Sequence, residues 1–146
     1  SSSSAASDVY KRQYGYYEQY VANYADSVKD TPYLLLPLSY IDFAREETHL
    51  FKLLFINDMD LNMSEAKDFY KEAGNEKKAA LFSKAIGVGP EQAKVIYLDL
   101  FLYTHGMAVL TATNKLALSR TSAETMLKNF LSAFIKQENP DRNPAI

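Results

Sequence analysis

Cysteine is absent from the 146 residues, and so is tryptophan. Without cysteine there are no disulfides, no thiolate nucleophiles and no thiolate metal sites. Histidine occurs twice, at His49 and His105, far apart and without a partner at helical ligand spacing, so a histidine-based metal centre is not expected either. Neither sign of charge dominates. Sixteen basic residues face eighteen acidic ones for a net charge of −2, which leaves no basic field of the kind that holds a nucleic acid backbone. Glycine and proline number five each, too few for a collagenous or linker-like chain. No alternating strand run, internal repeat or domain linker is visible.

What the chain does contain is core-forming material. Apolar residues make up 47%, aromatics 13% and charged residues 23%, a composition that folds rather than remaining disordered. The length suits one domain burying roughly two thirds of its surface. The first thirteen residues, SSSSAASDVYKRQ, carry no apolar period and no secretory pattern of basic and then apolar residues. They resemble a translated adaptor, so residues 1–13 are expected to be a leader outside the fold, with the natural chain beginning upstream of Tyr14. Residues 14–137 then form the domain and 138–146 a flexible tail.

From Tyr14 the period is helical. Tyr14, Tyr17, Val21, Tyr24 and Val28 recur at steps of three and four. Thr31-Pro32 opens a segment to Glu47, in which Pro37 predicts a kink near Tyr33 or a true start near Leu36. Thr48 is expected to cap a short apolar helix, Leu50 to Ile56. Ser64 to Ala73 reads as another helix ended by Gly74-Asn75, followed by Glu76 to Ile86. Gly87-Val88-Gly89-Pro90 turns into a long helix, Pro90 to about Leu116, and Thr121 with Glu124 forms a capping box for the last one. The expected fold is all-α, an antiparallel bundle of about six to seven helices.

The long helix is apolar enough from Val95 to Ala112 to raise a membrane span, but Asp99, Thr104, His105 and Thr111 interrupt it and no Lys/Arg asymmetry frames it. A buried helix in a cytoplasmic protein is the expectation. At 100° per residue it has two apolar arcs. One holds Leu98, Phe101, Leu102, Ala108, Val109 and Ala112; the other holds Ile96, Leu100, Tyr103, Met107 and Leu110. Asp99, Gly106 and Thr113 run along one seam between them; Tyr97, Thr104 and Thr111 run along the other. Two separated apolar faces call for two packing partners. One is the chain's own core and the other is either a second copy or further helices of the same chain.

Catalytic signatures are missing. Asp58, Asp60 and Asn62 open like a calcium loop, but Met63 replaces the required glycine and Phe69 the bidentate glutamate. Gly87 and Gly89 lack the further glycines of a nucleotide loop, and no nucleophile elbow is present. Glu46-Glu47, and Glu18 with Asp26, fall on mostly polar faces. No enzyme and no cofactor is expected. The aromatics and methionines remain, as plain core or as the lining of an apolar cavity between helices.

Four stretches resemble a known family. FAREETHLFKLLF, Phe43 to Phe55, is similar to the corresponding stretch of TetR/AcrR-type transcriptional regulators, with Thr48 where proline is commoner. YLDLFLYTHGMAVLTATNKL, Tyr97 to Leu116, resembles a helix of their C-terminal domains, and TSAETMLKNFLSAFI their final helix. YGYYEQYV resembles the start of the helix leaving their DNA-binding module, which is itself absent from this chain. The resemblance implies an effector-binding and dimerisation domain of a one-component regulator, touching DNA only through the missing module. The implied ligand is small and apolar or amphiphilic, in a cavity lined by Tyr40, Phe43, Phe55, Phe82, Tyr103 and Met107. The implied homodimer pairs the last two helices through Leu102, His105, Val109, Leu127, Phe130 and Phe134; with the two arcs of the long helix assigned the other way round, His105 lines the cavity and Tyr103 the interface. The alternative is a stand-alone helical scaffold without a ligand; a helical enzyme would need an acid and a base paired inside the cavity.

Overall fold

The computed structural model describes residues 2–59, 61–138 and 141, and among them there is no strand. Helix α1 runs Ser2–Tyr24 and continues as a 3-10 turn, Ala25–Val28; a second 3-10 turn, Pro32–Leu34, leads into α2, Leu35–Glu46. Helix α3, Thr48–Lys52, passes directly into a π turn, Leu53–Asn57. A 3-10 segment, Ala66–Lys71, precedes α4, Ala73–Ile86, then α5, Pro90–Ala112, and α6, Arg120–Glu138. The all-α expectation holds.

Helix α2 is the hub. Every side chain from Pro37 to Ala44 is buried, because α1, α3, α5 and α6 all pack against it. A helix apolar on all sides is stable in water only when surrounded in this way. Against it, α5 turns Ala93, Ile96, Leu100, Met107, Ala108 and Ala112 inward, and α6 turns Ala123, Leu127, Leu131 and Ile135 inward. Helix α5 is long and apolar enough to cross a bilayer. Here its inner face is core while Val95, Leu102 and Leu110 on the other side are about half exposed.

Several local expectations are corrected by backbone chemistry. Helix α1 does not begin at Tyr14: residues 2–13 are helical with it, and Tyr10 stacks on Tyr14 with ring centroids 6.2 Å apart. The described part of the expected leader is therefore continuous with α1, its residues 4–9 exposed and Tyr10 packed against the domain. The expected tail lies outside the described residues, except for Glu138, which closes α6, and Asp141. Pro37 sits in the first turn of α2, where its missing N–H costs nothing, so the start near Leu36 is the outcome. Thr48 does not cap α3; its hydroxyl donates back to the Ala44 carbonyl at 2.9 Å.

Gly74 and Asn75 begin α4 rather than ending a helix. Glu72 is extended ahead of it, and Asn75 Nδ2 donates to the Phe69 carbonyl at 3.0 Å. Gly87 closes α4 at φ 69, a left-handed position that glycine takes without strain, and Pro90 is the first residue of α5. Helix α5 stops four residues before the expected Leu116, where Asn114 turns left-handed at φ 58 and the Lys115 and Leu116 amides both donate to the Leu110 carbonyl. Ser119, not Thr121, caps α6: its Oγ accepts from the Ser122 amide at 3.1 Å, and Glu124 instead pairs with Lys128.

One polar cluster ties the elements together. Asp42 is 3% exposed inside α2 and accepts from the Tyr24 hydroxyl of α1 and from Arg45. Arg45 also donates to the Leu118 carbonyl at 2.9 Å, in the α5–α6 connection. At the start of α6, Arg120 places its guanidinium 5.0 Å over the Tyr24 ring. Removing the carboxylate leaves a phenol and a guanidinium without their acceptor. Asp42→Ala should therefore lower stability by about 2 kcal/mol and Tyr24→Phe by about 1 kcal/mol, read as shifts of the urea midpoint. An unchanged midpoint for Asp42→Ala would show that the cluster does not hold α1 and the connection in place.

Candidate functional site

The aromatic residues of α1, α2 and the π turn interlock. The Tyr17 ring lies 4.8 Å from Phe55 and 5.0 Å from Phe43, both edge to face, and Tyr40 lies 4.9 Å from Phe55 and 5.2 Å from Phe51. The π turn creates this meeting. Its Asp58 amide reaches back to Leu53, a wider loop than an α turn, and the segment brings Phe55 beneath Tyr17 and Tyr40.

Beside this cluster is a cavity of about 460 Å³, within the range of small-molecule sites. Tyr10, Tyr14 and Tyr17 of α1 form one wall, and Leu36, Pro37 and Tyr40 of α2 with Phe55 form the next. Tyr97, Leu100, Phe101 and Thr104 of α5 face them. Met59, Leu61 and Phe69 close one end, and Glu72, Gly74, Asn75 and Lys78 form the rim at the start of α4. At Gly74 an added Cβ would meet nothing within 4 Å, so the rim is open there.

Burial sets the charge state of the wall. It raises the pKa of Tyr17, Tyr40 and Tyr97 above the usual phenol value, so all three remain neutral. Burial also lowers His105 below its usual value of 6.5 and favours the neutral imidazole. Tyr40 Oη and His105 Nδ1 are 2.7 Å apart and share a hydrogen bond. His105 stacks on Phe101, 5.6 Å between centroids and 17° between planes. It stands directly behind the cavity wall.

Of the six residues expected to line the cavity, Tyr40 and Phe55 do so. Phe43 is fully buried against Tyr17 and Tyr20, and Phe82 is buried against Tyr97, so both support the wall from behind. Met107 is core and does not line the space. Tyr103 points the other way, with its ring stacked 4.8 Å from Phe130 of α6. Among the expected dimer residues, Leu127 is wholly buried in the chain's own core and His105 belongs to the wall's second layer. Leu102 is exposed, while Val109, Phe130 and Phe134 are half-buried at the surface.

The lining residues missed by sequence reasoning include Tyr10, Tyr14, Tyr17, Lys78, Tyr97 and Thr104. The α1 tyrosines were visible as a helical stripe without a partner. Tyr97 and Thr104 lie on what reads as a polar seam of α5, and that seam faces the cavity.

No group of three or more His, Asp or Glu capable of holding a metal occurs among the described residues. The wall has no acid and base held against each other, since Glu72 and Lys78 at the rim form no ion pair.

His105 makes the pH dependence of stability specific. Its folded value is below the unfolded one, so between them the unfolded chain binds more protons and stability rises with pH. This contribution is complete above pH 6.5 and is lost as pH falls through the lower folded value. The urea midpoint should thus fall from pH 7 toward pH 5.5, and His105→Gln should flatten that slope. An equal slope in the variant would place the titration elsewhere.

No protein-family model, curated protein or solved structure matches this chain.

Proposed function

We propose that the chain is an effector-sensing and dimerisation domain of a TetR/AcrR-type one-component regulator, working in the cytoplasm and reading DNA only through a separate module. The observation that carries this reading is the cavity: an aromatic space walled by α1, α2, α4 and α5 whose lining holds no ion pair among the described residues, in a chain without a metal cluster among them. A scaffold domain gains nothing from such a space, because unfilled volume in a core is destabilising. The presence of the cavity disfavours that alternative.

Dimerisation is proposed through the outward faces of α5 and α6, with a revised residue set. Val95, Leu102 and Leu110 of α5 and Met126 of α6 are exposed apolar side chains, and Gly106 leaves a shallow place between Leu102 and Leu110. The Tyr103–Phe130 stack and Phe134 continue this surface on its α6 side. A second copy applied about a twofold axis would cover the same stripe on both chains. A ligand in the cavity would act on that assembly only by binding one arrangement of the helices better than another.

Two measurements test the proposal. A thermal-shift screen of aromatic and amphiphilic compounds should yield stabilising hits that Tyr40→Ala abolishes; a screen without hits would leave the scaffold reading. In sedimentation equilibrium the chain should be a dimer at micromolar concentration. Leu102→Glu with Leu110→Glu should give a folded monomer, because both sites are exposed within the single chain and tolerate charge there. A monomeric unmodified chain at high concentration would refute the dimer.

A further inference from the structure

We propose that the occupant of the cavity is a planar aromatic carboxylate, its anionic end at Lys78 and Tyr14 on the rim and its ring against the wall formed by Tyr17, Tyr40 and Phe55. The inference rests on reading the cavity as a ligand site and adds the chemical class of the ligand.

Lys78 carries the charge argument. Lys94 and Lys128, comparably sheltered, are neutralised by Glu76 at 2.7 Å and Glu124 at 3.0 Å. Lys78 is half-buried and lines the cavity, yet among the described residues its ammonium has no carboxylate partner and donates to the Tyr14 hydroxyl at 3.3 Å. A sheltered cation without a counter-ion is costly, and an anion brought by a ligand supplies the missing half of a charge-assisted hydrogen bond. Glu72 also reaches the rim, but it is exposed and its charge is screened by water.

Thr104 carries the second argument. Thr111 and Thr113 on the same helix satisfy their hydroxyls by donating to carbonyls four residues back, both at 2.8 Å. The Thr104 hydroxyl is buried and has no partner, although the residue is only 5% exposed and lines the cavity. A buried hydroxyl left unpaired is uncommon in a folded protein. Rotation about one bond would offer it to a polar substituent on the ligand's ring. The flanking rings supply flat faces for stacking, which selects an aromatic body over a flexible chain.

Isothermal titration calorimetry with three probes tests this: 2-naphthoate, its uncharged analogue 2-naphthamide, and 6-hydroxy-2-naphthoate. The acid is expected to bind about tenfold more tightly than the amide, as one charge-assisted hydrogen bond supplies. Lys78→Met should remove that advantage while leaving the amide's affinity unchanged, which also shows that the variant is folded. The hydroxylated acid should gain severalfold over 2-naphthoate, and Thr104→Val should abolish the gain. If acid and amide bind equally and Lys78→Met changes neither, the assignment of an acid is overturned while the cavity remains a ligand site. If no probe binds at millimolar concentration, the ligand-site reading falls together with this proposal.

Discussion

Asp42 is a carboxylate set in the most enclosed stretch of the chain, and burying it commits three other segments. A charged group there persists only if its oxygens are hydrogen-bonded, because the desolvation penalty otherwise exceeds what the surrounding packing returns. Tyr24 meets this need from the end of α1, and Arg45 meets it from one turn further along α2. Arg45 spends its second nitrogen on the Leu118 carbonyl and so holds the α5–α6 connection. Arg120, lying over Tyr24 and donating to the Ser27 carbonyl, closes the same corner. The C-terminal end of α1 is pinned there, and the tyrosines nearer its start extend over the cavity.

The cavity follows from what the core is made of. Branched aliphatic side chains interdigitate to fill space, whereas rigid rings meeting edge to face have fewer ways to adapt. Around Tyr17 and Tyr40 most neighbours are aromatic, and three of the flanking phenols come from α1. Elsewhere the chain packs with small and aliphatic residues, such as Ala93, Ile96, Leu127 and Leu131, all essentially inaccessible. Incomplete filling is therefore local to the aromatic end of the bundle.

Much of the fold was legible in the sequence, and the reason is short-range physics. Pro90 at a helix start, Gly87 in a left-handed stop and the period of α5 each depend on a few neighbouring residues. The capping of α6 was legible only in kind. Ser119 and Thr121 are both competent caps, and the choice depends on where the preceding connection releases the chain. The site was less legible. A helical wheel gives the angle of a side chain but not what stands opposite it, so Phe43, Phe82 and Met107 were placed in the wall when they are core behind it. Tyr97 and Thr104 read as a polar seam because a phenol and a hydroxyl suit solvent equally well. Tyr10 was set aside with a segment that lacks apolar period, yet its ring reaches the wall by stacking on Tyr14. One aromatic can recruit a segment that has no amphipathic pattern of its own.

Helix α5 joins the two halves of the functional argument because it is a single rigid element. Its 23 residues make a rod of roughly 35 Å. Tyr97, Leu100 and Thr104 face the cavity from one side of that rod, and Val95, Leu102 and Leu110 stand on the other. Packed helices shift as units rather than deforming continuously, so a displacement of the wall is also a displacement of the outer stripe. Between them, on the flank, His105 grips Tyr40 of α2 by a hydrogen bond and Phe101 by a stack, which couples α5 to the hub helix at the level of the cavity. An occupant that pressed on Tyr40 or Thr104 would bear on that joint, and the apolar outer stripe would move with it.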